Sequence, residues 1–161
     1  QDTAMGAGGG SMRLEIGSGY SPTPGFTHLD MNPNAPGVDI VGPAFPLTME
    51  TATVDEIRAV DVLEHCSYWD TAAALAEWAR VLKPGGKLIF FELGSSPDPD
   101  VRRWQRMFEP IAHRAYEGVS LTRDIPSLIA QSGFHMEHLE AGYIAKFPKS
   151  LTYCFWGIAI H

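Results

Sequence analysis

Short apolar runs recur along the chain, separated by turn-forming residues, and their spacing switches between two and near four. Apolar or alternating stretches at residues 13–16, 27–30, 38–41, 56–60, 87–92, 135–140 and 152–160 predict seven strands. Helical spacing predicts helices over residues 69–82, 98–114 and 123–132. In the first of these, Ala73, Leu75, Ala76, Trp78, Ala79 and Leu82 form an apolar stripe. Pro84-Gly85-Gly86 then stops the helix and turns the chain into Leu88-Ile89-Phe90-Phe91. Thr122 is the expected N-cap of the last helix, which closes at Ser132-Gly133. Strands alternating with helices imply an α/β fold with a mostly parallel sheet, covered on both faces.

One run combines two of these signals. Leu14-Glu15-Ile16 is an apolar strand that breaks into Gly17-Ser18-Gly19, and a second strand ends in His28-Leu29-Asp30. Glycines let backbone N–H groups approach a ligand, and a carboxylate accepts hydrogen bonds from ribose hydroxyls, so the pattern suits a nucleoside.

Composition narrows the field. A chain of 161 residues supports one domain, read here as residues 12–161. Residues 1–11 are rich in Gly and Ala and read as a disordered leader ahead of Met12. A net charge of −7 argues against nucleic acid as a partner, because duplex binding relies on a basic face. No apolar run approaches the ~20 residues needed to span a bilayer, so no membrane partner is expected. Cys66 and Cys154 fit no metal spacing, and two free thiols suit a cytoplasmic location. His135 and His138 would lie on opposite faces of a strand, so no metal is expected there.

Several segments, taken in order, resemble class I S-adenosylmethionine-dependent methyltransferases, and more narrowly their small type 11 branch. Leu14-Glu15-Ile16-Gly17-Ser18-Gly19 is similar to the first motif, and Asp30 to the acid ending the second strand. Val60-Asp61-Val62-Leu63-Glu64-His65 resembles the end of the fourth strand, which commonly reads Leu-Glu-His. Glu77-Trp78-Ala79-Arg80-Val81-Leu82-Lys83-Pro84-Gly85-Gly86 resembles the helix and turn before the fifth strand. The resemblance implies a compact Rossmann-like three-layer fold: a mostly parallel seven-stranded sheet with an antiparallel C-terminal strand. Two departures stand out. Only seven residues separate Gly19 from Thr27, and Pro22 and Pro24 are among them, so the first crossover helix is missing. Pro43 stands where many relatives carry an acid that contacts the adenine amino group.

The implied cofactor is S-adenosylmethionine, with Glu15, Gly17, Ser18, Gly19, Asp30, Met31, Asp61 and Val62 as its candidate ligands. Glu15 would orient the glycine turn or reach the methionine ammonium through water. Asp30 would bind the ribose, or cap the turn at Asn32-Pro33. His65 is a candidate general base, since its reference pKa lies near neutrality, or a residue that packs beneath the methionine moiety and bonds the loop. His113, with Tyr116, Arg102, Arg103 and Trp104, falls in the segment where the family builds its acceptor pocket. The expected reaction moves a methyl to an oxygen or nitrogen of a small molecule, such as a sugar-containing or secondary metabolite. The pocket is either open or covered by residues 94–118 or by the second subunit of a homodimer. Two other readings stand beside this one. The chain could be a non-catalytic cofactor-binding subunit that needs a partner protein. A dinucleotide oxidoreductase would need a helix directly after Gly19, which Pro22 and Pro24 exclude.

Overall fold

A computed structural model of the chain describes residues 10–116, 118–146 and 148–161. The first nine residues of the expected leader lie outside the described residues. Seven strands form one sheet: β1 (Arg13–Ile16), β2 (Thr27–Asp30), β3 (Ile40–Val41), β4 (Val54–Val60), β5 (Leu82–Leu93), β6 (His135–Tyr143) and β7 (Tyr153–Ile160). Three helices accompany them: α1 (Tyr68–Val81), α2 (Pro99–Ala115) and α3 (Ile125–Gln131). Short 3₁₀ turns stand at Leu63–His65 and Lys149–Leu151. The strand order is β3-β2-β1-β4-β5-β7-β6. β1 to β5 run parallel, and β7 lies antiparallel between β5 and β6. This is the mixed seven-stranded α/β sheet that the sequence predicts.

The core follows from strand alternation. Leu14, Ile16, Leu29, Ile57, Ala59, Leu88 and Phe90 share one face of the sheet, and Ala74, Leu75 and Trp78 of α1 and Ile125 and Ile129 of α3 pack on it. Trp78 is fully buried, and its indole N–H donates to the Ala44 carbonyl at 2.9 Å, so its one polar atom is satisfied. Coverage expected on both faces is unequal. On the other face Arg58, Val60, Ile89, Phe91, Trp156 and Ile158 line an open groove of about 500 Å³. A first crossover helix would lie on that face, but the segment between β1 and β2 carries none.

Two local details differ from expectation. Asp124, not Thr122, caps α3: its carboxylate accepts from the Ser127 N–H at 3.2 Å and the Ser127 hydroxyl at 2.6 Å. A carboxylate is the stronger acceptor for an exposed helix end. Strand β5 also begins at Leu82, directly after α1, and takes Pro84-Gly85-Gly86 into an irregular start. Gly86 is required there, because a Cβ would stand 2.8 Å from the Lys83 carbonyl oxygen. No helix among the described residues is long and apolar enough to cross a membrane.

Candidate functional site

The carboxyl ends of β1, β2 and β4 are neighbours in the sheet, and the candidate cofactor residues converge there. At the end of β1 the Gly17 N–H donates to the Leu29 carbonyl at 2.8 Å, closing the glycine turn onto β2. Gly17 has φ +68°, and a Cβ there would stand 2.9 Å from Val62 Cγ2. The turn and the loop after β4 are therefore in contact through a gap that only glycine leaves open. Gly19 also has positive φ, +54°.

Asp30 ties the turn to the end of β2. Its Oδ2 accepts from the Gly19 N–H and its Oδ1 from the Asn32 N–H, both at 2.8 Å. The carboxylate thus caps the Asn32 turn and holds the glycine loop, and each oxygen keeps a second lone pair for a further donor. Met31 stands beside it, 73% exposed. Glu15 is buried, and its carboxylate is engaged by Thr23 and by Arg58. It orients the short loop after the glycine turn. Ser18 is buried, and its hydroxyl is the single buried side-chain polar atom without a hydrogen-bond partner among the described residues. Buried polar groups are normally paired, so this hydroxyl keeps a hydrogen-bonding capacity that the described residues do not use.

The loop after β4 is built on buried acids. Asp61 adopts φ +53°, a conformation that side chains rarely take, while its N–H donates to the Phe91 carbonyl at 2.8 Å. Glu92 is fully buried and accepts from the N–H groups of Val62, Leu63 and Glu64, at 3.2, 3.0 and 3.3 Å. It caps the turn that carries His65. Glu64 accepts from the Leu93 N–H at 3.1 Å and lies 3.6 Å from His65 Nε2. Burial pushes the Glu64 carboxyl up to about 7, and the neighbouring Asp61 adds to this while the Leu93 hydrogen bond opposes it. Burial likewise raises Asp61, against the pull of His65, and raises Glu92 well above the usual range.

A second feature lies beyond this loop. A polar cavity of about 590 Å³ is lined by Ser67, Glu109, His113, Thr122, Arg123 and Gln131, among others. Gly118 lies between the two candidate histidines: a Cβ there would stand 3.5 Å from the His65 carbonyl and 3.7 Å from His113 Cε1. Arg123 reaches back from the cavity wall to the Leu63 and Cys66 carbonyls and the Thr71 hydroxyl. Burial lowers its pKa from the ordinary arginine value. Glu109 accepts from the Ser120 hydroxyl and the Leu121 N–H at 2.6 and 2.7 Å.

Sequence reasoning missed Glu92, Arg123 and Glu109. Glu92 had a signal: it shares the strand period of Leu88 and Phe90, which predicts that it is buried on the core face. Arg123 and Glu109 carry no comparable signal, because their partners lie on distant elements.

The residues fit an adenosyl cofactor on structural grounds: an orphaned buried hydroxyl at Ser18, a glycine turn with no room for a Cβ at Gly17, and a carboxylate with free lone pairs at Asp30. A model of the type 11 methyltransferase domain matches residues 4–90 of the 161. Thiol S-methyltransferase TMT1B of Rattus norvegicus is 38% identical over 76 residues, covering 47% of this chain and 31% of that protein. The chain thus spans less than a third of the length of the curated relatives it matches. Among solved structures, an S-adenosylmethionine-dependent methyltransferase from Thermotoga maritima superposes with a TM-score of 0.70 at 16% identity, covering 94% of this chain and 82% of that one. Another, from Mesorhizobium loti, gives 0.66 at 16% identity, covering 95% and 92%. S-adenosylmethionine is the cofactor that family and fold share. The chain belongs to the type 11 branch of the class I methyltransferases.

Proposed function

We propose that this chain methylates an oxygen or nitrogen of a small molecule held in the polar cavity between α2 and α3. The observation that carries the reading is the meeting of two groups of residues. The cofactor residues of β1, β2 and β4 end in a loop, 62–65, whose last carbonyl would stand 3.5 Å from a Cβ at Gly118, and the Gly118 N–H donates to the carbonyl of His113 on the cavity wall at 2.8 Å.

When bound, S-adenosylmethionine supplies an electrophilic methyl for in-line displacement. Asp30 and Ser18 hold its polar groups, while Gly17 and Gly19 let the backbone come close. Glu92 fixes the loop of residues 62–64, which fixes the position of His65. His113, on the cavity wall, acts as the general base that takes a proton from a hydroxyl or ammonium acceptor. The serine, threonine and glutamine side chains around it suit a hydroxyl-bearing metabolite.

A second reading is favoured by the 38% identity with a thiol S-methyltransferase. A thiolate acceptor is already ionised and needs no protein base. The two readings separate in one experiment. Formation of S-adenosylhomocysteine is followed with hydroxyl, amine and thiol acceptors, for the wild type and His113→Ala. Turnover of a hydroxyl or amine that falls at least tenfold in His113→Ala supports the first reading. Turnover of thiols alone, unchanged by the substitution, replaces it with the second. No turnover with any acceptor overturns both.

A further inference from the structure

Helix α2 carries a stripe of large apolar side chains on its exposed surface. Trp104, Met107, Phe108 and Ile111 follow helical spacing, and they are 51%, 56%, 38% and 61% exposed. The helix has a core-facing side, made by Val101, Gln105 and Ala112, and the stripe runs out from it, with Phe108 at the shared edge and Trp104, Met107 and Ile111 further toward solvent. Trp104 and Phe108 stack at 5.6 Å, giving a continuous aromatic surface rather than scattered residues.

Charge identifies what meets this face. Arg102, Arg103, Arg106 and Arg114 lie on the same helix, a third of the 12 lysines and arginines in the chain. Their guanidinium groups have no ion-pair or hydrogen-bond partner among the described residues. The helix carries two acids, and Glu109 is turned inward onto Ser120 and Leu121, which leaves Asp100 as the outward one. A chain of net charge −7 therefore presents a cationic strip along one apolar stripe. On a helical projection Arg103 and Arg114 border the stripe directly, with Arg106 behind them. Apolar and aromatic residues flanked by arginine are the composition that seats a helix in the interface of an anionic bilayer. A second copy of this chain fits less well. A two-fold contact through α2 would bring the same arginines against one another.

We propose that α2 docks this protein on an anionic lipid surface, with Trp104, Met107, Phe108 and Ile111 entering the interface and the arginines meeting lipid headgroups. His113 and Glu109, which line the polar cavity, lie on the side of the helix away from the stripe, so docking leaves that cavity facing away from the lipid. The inference concerns location and stands apart from the choice of acceptor.

The test is co-sedimentation of the full chain with phosphatidylcholine vesicles, with and without phosphatidylglycerol. Binding is expected with the anionic lipid alone and is expected to weaken in high salt. The double variants Trp104→Ser/Met107→Ser and Arg103→Glu/Arg106→Glu should each weaken it by about tenfold or more. All four side chains are exposed, and unchanged melting temperatures in both variants show that folding is intact. Absence of binding to anionic vesicles overturns the proposal, as does binding that neither variant weakens. A dimer in solution that the first variant dissociates, without vesicle binding, also overturns it and assigns the stripe to a second copy.

Discussion

Glu15 and Thr23 are joined twice. The carboxylate accepts from the Thr23 N–H at 2.7 Å through Oε2 and from the Thr23 hydroxyl at 2.5 Å through Oε1. Arg58 Nε sits between them, 3.1 Å from Glu15 Oε1 and 3.0 Å from Thr23 Oγ1, and His28 Nε2 lies 2.8 Å from the Thr23 carbonyl. This polar cluster stands on the sheet face that a crossover helix would cover. The loop between β1 and β2 is thus held by charge-assisted hydrogen bonds where apolar packing is missing.

Replacing Thr23 by Val keeps its shape and removes the hydroxyl, leaving Arg58 and Glu15 one partner short. A loss of about 1–3 kcal/mol in urea unfolding is expected, with Thr23→Ser close to wild type. The loop leads out of the glycine turn, so weaker S-adenosylmethionine binding in calorimetry should accompany the loss. Equal stability of Thr23→Val and wild type would mean that the cluster does not pin the loop.

Gly17 is constrained in two ways that a pair of variants separates. Gly17→Ala meets both the positive φ and the 2.9 Å approach to Val62. Strained backbone of this kind costs about 1–3 kcal/mol, and the cofactor turn takes the distortion. Calorimetry should show S-adenosylmethionine affinity reduced by about tenfold or more. Adding Val62→Ala removes the steric conflict and leaves the dihedral cost, so it should restore part of the affinity. A double variant no better than Gly17→Ala alone assigns the whole effect to backbone conformation.

The strands around the glycine turn were legible because they rest on local signals. Leu14-Glu15-Ile16 into two glycines and the apolar run ending at Phe91 each declare themselves over a few residues. The missing crossover helix was equally legible, since Pro22 and Pro24 forbid it. Its consequence was not. The unequal covering of the sheet depends on what stands against Phe91 and Trp156, and nothing local to either residue says that the neighbour is absent. The cap of α3 was misplaced by two residues because Thr122 and Asp124 are both good N-cap types, and Arg123 between them is drawn inward to the Leu63 and Cys66 carbonyls. At the site, Asp30 could be read as a ribose ligand or a turn cap from sequence. The structure shows the capping bonds and leaves lone pairs for the other role.

Those two roles of Asp30 make a distinct prediction. Asp30→Ala removes the capping of Gly19 and Asn32 together with any ribose contact, and S-adenosylmethionine binding should weaken by about 1–3 kcal/mol in calorimetry. Asp30→Asn keeps one carbonyl oxygen as an acceptor and should fall between the two. Methionine alone, which has no ribose, serves as the control ligand. If Asp30→Ala weakens the binding of both ligands equally, the side chain acts on the turn alone and the ribose assignment fails.

Glu64 should make stability depend on pH in an unusual direction. Its folded pKa of about 7 lies above the ordinary glutamate value of 4.5, so between these the folded state holds a proton that the unfolded state has released. The unfolded state then binds fewer protons, and stability falls as pH rises from about 4.5 to about 7. Asp61 and Glu92, raised by the same burial, add to this slope. Above pH 7 the folded protein carries Glu64 ionised and buried beside Asp61. Glu64→Gln removes the titration and keeps an oxygen for the Leu93 N–H. It should stabilise the protein by about 2 kcal/mol at pH 8 and change it little at pH 4.5. Urea unfolding of both proteins across this range reads the difference directly. Parallel stability curves for the two would show that folding does not shift the titration of Glu64, and would overturn the burial argument.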